Sequence, residues 1–421
     1  MSVQQQSVVV VGQGYVGLPV AMRAVDAGHV VTGVDLDQRR AHALAGGVSY
    51  VEDIPSAQVQ RALESGRYRS LDSYESIGAW DVAVITVPTP LHESRPDLTF
   101  VEQSSASLAR SLRPGATVIL ESTTYPGTTE RLVVPILEAG SGLVAGSDFF
   151  VGYSPERIDP GNPVWGFVNT PKVVAGLDAA SLVHVQGFYD GLVETTVPVS
   201  GLREAELTKL LENTFRHVNI ALVNELAVFA NELGVDVWES IDAAGTKPFG
   251  FMKFTPGPGV GGHCLPVDPS YLSWEVKRTL GKTFRFVELA NDVNEHMPDH
   301  VVDRATSMLN DRSKSVRGSR IALVGLSYKK NSGDTREAPS ARVIELLGAL
   351  GADVVAVDPH VEDHRWPTGV ERIAPKAAAF ADVDLAIVLT DHDDVDLAML
   401  STVPTFDSRN VLSPSDDVVV L

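Results

Sequence analysis

The chain has 421 residues, 44% of them hydrophobic and 21% charged, with a formal net charge of −20 and a single cysteine. That length exceeds one ordinary core and predicts two or three globular domains. The acidic balance argues against nucleic acid and anionic membrane surfaces, and one cysteine excludes an intrachain disulfide and a cysteine-based zinc site, so no metal is expected.

The start is polar from Ser2 to Ser7 and runs straight into a strand, which predicts no signal peptide. No apolar run is long enough to span a bilayer, and the expected location is cytoplasmic. Val8-Val9-Val10-Val11 is a continuous β-branched run, as in a strand buried on both faces of a parallel sheet. It feeds Gly12-Gln13-Gly14-Tyr15-Val16-Gly17, a G-x-G-x-x-G pattern, then a helix through Ala27 and a strand from Val30 to Val34 that leads to Asp35. Strand, glycines, helix, strand and acid in this order describe a dinucleotide site. The glycines let backbone N–H groups approach a pyrophosphate, and the Asp35 carboxylate accepts ribose hydroxyls while repelling a 2′-phosphate. That chemistry favours NAD over NADP.

Three further strands follow. Val82 to Val87 ends at Pro88-Thr89-Pro90, and Thr117 to Leu120 ends in the hydroxyl-rich Glu121-Ser122-Thr123-Thr124-Tyr125-Pro126-Gly127-Thr128. The latter is either an ordinary turn or a cradle for a water or substrate oxygen. Phe149 to Tyr153 leads into Ser154-Pro155-Glu156-Arg157, placing Glu156 where a surface carboxylate is unremarkable and a catalytic one well placed. From Glu204 the spacing turns helical for roughly thirty residues with little charge, which reads as a central helix and part of a subunit interface. Lys209 and Asn213, four apart, share one face. Lys209 is either a solvated lysine or one aimed at developing negative charge.

The stretch Gly257 to Pro269 sets Cys264 among glycines and prolines. A lone cysteine is usually buried and inert, yet such a loop also presents a thiol to a small molecule at short range. Phe286 to Asn294 continues in helical spacing, and Asp311 to Gly318 reads as a linker. A second α/β unit then begins with the strand Ile321 to Gly325 and the loop Tyr328 to Arg336. A helix to Leu350 and strands at Val354 to Val357 and Leu385 to Leu389 complete it. Lys329, Lys330, Arg336 and Arg409 fall at turns after strands, a placement that suits a diphosphate.

Together the cysteine loop (Gly261-Gly262-His263-Cys264-Leu265-Pro266-Val267-Asp268-Pro269), the first glycine motif and the Tyr328 to Arg336 loop resemble the UDP-glucose/GDP-mannose dehydrogenase family over nearly the whole chain. The resemblance implies an α/β fold of two Rossmann-like doubly wound domains joined by a central helical dimerisation domain. It divides the chain into an NAD domain at 1–200, a helical domain with the cysteine loop at 201–310 and a UDP-sugar domain at 311–421. Cys264 matches the family's nucleophile, Lys209 its catalytic lysine with Asn213 beside it, and Asp268 the aspartate that helps hold a water. Thr123 matches the water-binding threonine, and Glu156 the glutamate of thioester hydrolysis.

For the cofactor the resemblance points to Gly12, Gly14, Tyr15, Val16, Gly17, Asp35, Thr89, Thr123 and Arg336. For the substrate it points to Glu156, Arg157, Lys209, Asn213, Lys247, Phe254, Gly261, Lys329 and Arg409. Gln13 stands where the family usually has an apolar residue, and Lys253 interrupts the substrate loop. The implied reaction is a four-electron oxidation of a sugar C6 alcohol to the acid through a Cys264 thiohemiacetal and thioester, with a homodimer as the working form. The segments from Ser154 and Thr246 look like the branch acting on UDP-N-acetylhexosamines, UDP-N-acetylglucosamine first. UDP-glucose is the alternative, and a non-catalytic nucleotide-sugar binder or a simple two-electron dehydrogenase are readings from other classes.

Overall fold

The β-branched runs form the strands expected of them, in two compact units, Met1–Glu212 and Asn213–Leu421. The computed structural model describes residues 5–51, 53–92, 95–158, 162, 164–262, 265 and 267–421. In the first unit the strands are β1 (Ser7–Val11), β2 (Val30–Val34), β3 (Tyr68–Leu71), β4 (Val82–Ile85), β5 (Thr117–Leu120), β6 (Phe150–Tyr153), β7 (Lys172–Gly176) and β8 (Thr196–Pro198). They lie in the order β8-β7-β6-β5-β4-β1-β2-β3. β1 to β6 are parallel, whereas β7 runs antiparallel to β6 with Gly152 opposite Gly176 and Tyr153 opposite Ala175.

Period-two alternation gives this sheet two cores. Val8, Val10, Val31, Val84 and Ile119 pack on one face with helix α1 (Gly17–Asp26), and Val9, Val11, Val34, Ile85 and Leu120 pack on the other. Helix α2 (Ala179–Asp190) covers the first face near β6 and β7.

Helix α3 (Leu202–Leu233) is the long helix that the spacing from Glu204 predicts. Leu210, Val223 and Ala227 are buried as on an amphipathic helix, but burial does not follow hydrophobicity along its length. Leu207, Leu211, Phe215, Leu222, Leu226 and Phe229 are exposed, while Glu206, Asn213, His217 and Asn224 are buried. In the second unit α4 (Asp268–Leu280) and α5 (Arg285–Asp311) precede a parallel sheet of β9 (Arg320–Val324), β10 (Asp353–Val357), β11 (Glu371–Arg372), β12 (Leu385–Val388), β13 (Thr405–Asp407) and β14 (Val418–Val420). Its order is β11-β10-β9-β12-β13-β14. Helix α6 (Pro339–Leu350) packs on the face that buries Ile321, Leu323 and Ile387, and a second core holds Ala322, Val324 and Val388. Both sheets therefore carry cores on both faces, the doubly wound arrangement expected. No helix among the described residues is long and apolar enough to cross a membrane.

Candidate active site

In the first unit β1 ends against a glycine turn. Gly12 takes φ +87°, and a Cβ there would stand 2.7 Å from the Thr86 carbonyl oxygen; at Gly17 it would lie 1.8 Å from the Gly12 oxygen. These two glycines let the turn close and α1 approach the strand ends. Gly14 differs, because a Cβ there would meet nothing within 4 Å. Open ground before a helix N-terminus is what a pyrophosphate requires. Tyr15 beside it is exposed and Val16 half-buried. After β2, Asp35 accepts the N–H groups of Gln13 (3.0 Å) and Asp37 (2.9 Å), one on each carboxylate oxygen. Each oxygen keeps a lone pair for a ribose hydroxyl, so the cradle fits a nicotinamide dinucleotide.

Gln13 is satisfied where an apolar side chain was expected. It is fully buried, its Nε2 donates to the Val10 carbonyl (2.9 Å), and its Oε1 accepts from the Tyr68 hydroxyl (2.8 Å).

The ends of β4 and β5 meet through the Thr89 hydroxyl, which donates to the Thr123 carbonyl at 2.9 Å. The Thr123 side chain is half-buried, and the neighbouring Thr124 is fully buried with no hydrogen-bond partner for its hydroxyl among the described residues. Glu206 of α3 anchors this turn. Its carboxylate accepts the Gly127 N–H (2.5 Å), the Thr129 N–H (2.9 Å) and the Thr129 hydroxyl (2.7 Å). Burial nevertheless pushes its pKa up to about 7, outweighing those donors.

Glu156, just past β6, is held on both oxygens. Oε1 accepts the N–H groups of Arg157 (2.6 Å) and Ile158 (2.8 Å), and Oε2 faces the Lys172 ammonium at 3.0 Å. Lys172 pairs also with Glu121, whose second oxygen accepts the Tyr189 hydroxyl at 3.0 Å. Burial alone raises Glu156, but Lys172 outweighs it, with the Ile158 N–H and the charge of the half-buried Lys209 adding to the effect, and the carboxyl lies below its ordinary range. Glu121 goes the other way, because burial exceeds what Lys172 returns. Arg157 is engaged elsewhere: its guanidinium donates to Glu212 (2.9 Å) and to the Pro171 carbonyl (2.6 Å).

The second unit assembles the other candidates. Cys264 and its neighbour His263 lie outside the described residues. The glycines before them pack tightly on the Tyr328 to Arg336 loop: a Cβ at Gly261 would stand 2.6 Å from the Tyr328 Cβ, and the Gly262 N–H donates to the Arg336 carbonyl (3.0 Å). Beyond the cysteine, Asp268 opens α4 and accepts from the Asn213 amide at 2.5 Å, both side chains buried. Pro258, Ser327, Tyr328 and Arg409 line a small pocket.

The basic residues of this unit are largely paired with acids. Lys330 bridges Asp391 and Asp393, Arg336 is bidentate on Asp334, and Arg409 lies 3.5 Å from Asp391. Lys329 accepts the Ser327 hydroxyl on its carbonyl. Lys247 places its ammonium over the exposed Phe249 ring, and Lys253 pairs with Asp242 at 2.5 Å. Phe254 packs on the second unit's core and edge-on to Phe215.

Comparison with known proteins gives the family. Models of the UDP-glucose/GDP-mannose dehydrogenase family match its NAD binding domain at residues 6–192, its central domain at 203–296 and its UDP binding domain at 322–414. The chain belongs to the UDP-glucose/GDP-mannose dehydrogenase family. It is similar to a UDP-N-acetyl-D-glucosamine 6-dehydrogenase of Pseudomonas aeruginosa, 36% identical over 92% of each chain. A UDP-N-acetyl-D-mannosamine dehydrogenase of Pyrococcus horikoshii is 33% identical over 92% of this chain and 90% of its own. Among solved structures, the UDP-D-ManNAc dehydrogenase from Pyrococcus horikoshii superposes with a TM-score of 0.89 at 30% identity, over 98% of both chains. A UDP-glucose dehydrogenase from Pyrobaculum islandicum superposes at 0.88 and 27% identity, covering 99% of this chain and 97% of that one. As a member of the UDP-glucose/GDP-mannose dehydrogenase family, the protein is a dehydrogenase with a nicotinamide dinucleotide site in its first unit.

Several residues around these sites carry no mark in the sequence. Lys172 opens a strand and reads there as a solvated lysine; only the reversed direction of β7 brings it to the edge where the parallel strands end. Asp358, just past β10, is buried and accepts the N–H groups of Leu326 (2.7 Å), Ser327 (3.1 Å), His360 (2.9 Å) and Val361 (3.1 Å), with His392 Nε2 3.1 Å away. Burial opposes its ionisation, but His392 and the N–H groups win and hold its pKa at about 2. An acid after the second strand of the second unit was a usable signal, since Asp35 occupies the same place in the first.

Proposed function

We propose that the protein oxidises the C6 hydroxymethyl group of a UDP-N-acetylhexosamine to the uronic acid, with NAD as cofactor and UDP-N-acetylglucosamine as the favoured substrate. The observation that carries this reading is the family match running through a UDP binding domain, in a chain that keeps the cysteine segment at 261–269. Asp35 supports NAD over its 2′-phosphorylated form. When bound, the cofactor accepts a hydride from the sugar carbon in each of two oxidations.

The chain's own residues have separable tasks. Cys264 adds its sulfur to the aldehyde carbon to give a thiohemiacetal, and loss of a second hydride leaves a thioester. Lys209 offers positive charge to the developing oxyanion. Asp268, tied to the Asn213 amide at 2.5 Å, helps hold the water of the last step. Water then bonds to the thioester carbon, Glu156 takes its proton, and the carbon–sulfur bond breaks with thiolate leaving. Thr123 holds the water, with Thr89 fixing its backbone. Gly261, Lys329 and Arg409 receive the nucleotide sugar, while Arg157, Lys247 and Phe254 shape its surroundings; Arg336 is assigned to the cofactor.

A homodimer built on the exposed apolar stripe of α3, including Leu211, Leu222 and Phe229, completes the reading. Relatives named for UDP-N-acetyl-D-mannosamine favour that epimer as the second substrate reading, ahead of UDP-glucose. The test is to count NADH per sugar for the three substrates, in the wild type and in Cys264→Ser. Two equivalents with an N-acetylhexosamine, and no acid from the variant while NAD still binds, are expected. One equivalent, or acid made at the normal rate without the thiol, refutes the mechanism.

A further inference from the structure

Outside the residues assigned so far lies a buried cluster of charge. Glu121 follows β5, Lys172 begins β7, and the Tyr189 ring of α2 closes over them. The side chains of Glu121 and Lys172 are 0% and 4% exposed, against 13% for Glu156. The Lys172 ammonium divides itself between the two carboxylates and lies over the rings of Phe167 (5.1 Å) and Tyr189 (5.3 Å). Two carboxylates share one ammonium.

Stability alone is a poor reason for this arrangement. Taking three charged groups out of water costs several kcal/mol each, and apolar replacements of buried ion pairs are often neutral or stabilising. The geometry instead supplies a graded link. Glu156 stands at the edge of the cluster, Lys172 touches it, and Glu121 touches Lys172 from the far side.

We propose that Lys172 and Glu121 are positioning residues that hold Glu156 at the strand ends and set how readily it takes the proton of the hydrolytic water. The proposal rests on the reading of Glu156 given above. Lys172 keeps Glu156 ionised, and Glu121, once it is itself ionised, competes for the same ammonium and so keeps Glu156 from being too weak a base. The charged and titratable groups facing Glu156 are Lys172, Glu121, Tyr189 and Lys209, together with the N–H groups of Arg157 and Ile158. Glu121 is pulled up and Glu156 down, the directions that an unequally shared cation produces.

Two distinct responses test it. The acid limb of the rate of thioester hydrolysis is measured by single turnover, with the acyl group on Cys264 followed by mass spectrometry after acid quench. Lys172→Met removes the counter-charge and moves the limb to higher pH by about one unit or more, a tenfold change in the equilibrium. Glu121 takes up its proton before Glu156 as pH falls, so Glu121→Gln leaves the acid limb in place; what it abolishes is the second rise in rate that the wild type shows at higher pH, where Glu121 ionises and begins to compete for Lys172. A merely structural role slows both variants by the same factor at every pH. Should Lys172→Met fail to fold, the near-isosteric Glu121→Gln decides alone, and a second rise that persists in it overturns the proposal. Glu156→Gln is run beside them. If it hydrolyses the thioester normally, the reading of Glu156 falls and the proposal with it; if it is slow while the other two keep the wild-type pH profile, only the proposal falls.

Discussion

Glu206→Gln tests whether burial or hydrogen bonding governs the anchor of the β5 turn. In the folded protein the carboxyl is raised from 4.5 to about 7. Between those values the folded chain keeps a proton that the unfolded chain releases, so stability present at low pH is lost as pH climbs to about 7. At about 1.4 kcal/mol per unit the full change is about 3.5 kcal/mol. For a unit of this size that is about 7–14 °C in melting temperature. Glutamine has no such titration. Its Oε1 still accepts from Thr129, but its amide turns a donor toward the Gly127 N–H, a penalty of about 1–3 kcal/mol that does not change with pH.

The readout is therefore a difference. Melting is followed by scanning fluorimetry for both proteins across the window, and wild type loses its advantage over the variant as pH rises. Glu121, also raised, contributes equally to both proteins and cancels. A difference that stays flat with pH refutes the reasoning. It would mean that the three donors on Glu206 outweigh burial and keep the carboxylate ionised throughout.

Two further outcomes follow from the second unit and from α3. Asp358→Asn must turn an amide N–H toward one of the two pairs of backbone N–H groups its carboxylate accepts, at a cost of about 2–4 kcal/mol; urea unfolding of this unit shifts accordingly and UDP binding by calorimetry weakens, whereas unchanged values remove Asp358 as the anchor of the 326–331 loop. Leu222→Glu with Phe229→Glu, both on the exposed stripe, gives a monomer in sedimentation equilibrium where wild type gives a dimer, and equal masses for the two refute α3 as the interface.

Most of the fold was legible because parallel strands write themselves as unbroken apolar runs. Val8 to Val11, Ile321 to Val324 and Leu385 to Val388 needed no tertiary information to be recognised. The glycine motif was equally readable, since Gly12 and Gly17 answer to contacts only a few residues away or to the adjacent strand. Helix α3 was found by its spacing, but its faces were not. Within the first unit Leu207 and Leu211 are exposed and Leu210 is buried, but so is Glu206, which no apolar pattern marks. A helix whose partners are backbone N–H groups buries polar side chains, and hydrophobic spacing carries no trace of that.

Lys172 shows where reading by spacing fails for a physical reason. A residue's position along its strand is local information, but which edge of the sheet that position occupies depends on strand direction, set by pairing with β6. Parallel, Lys172 would stand at the amino edge, a full strand length from Glu156. Antiparallel, it meets the carboxylates that follow β5 and β6, 51 and 16 residues earlier in the chain. The same lysine in the same sequence context is thus either a solvated charge or the counter-ion of a candidate base. The choice is made by one reversal in an otherwise parallel sheet, so residues that open reversed strands deserve the scrutiny usually given to those that close parallel ones.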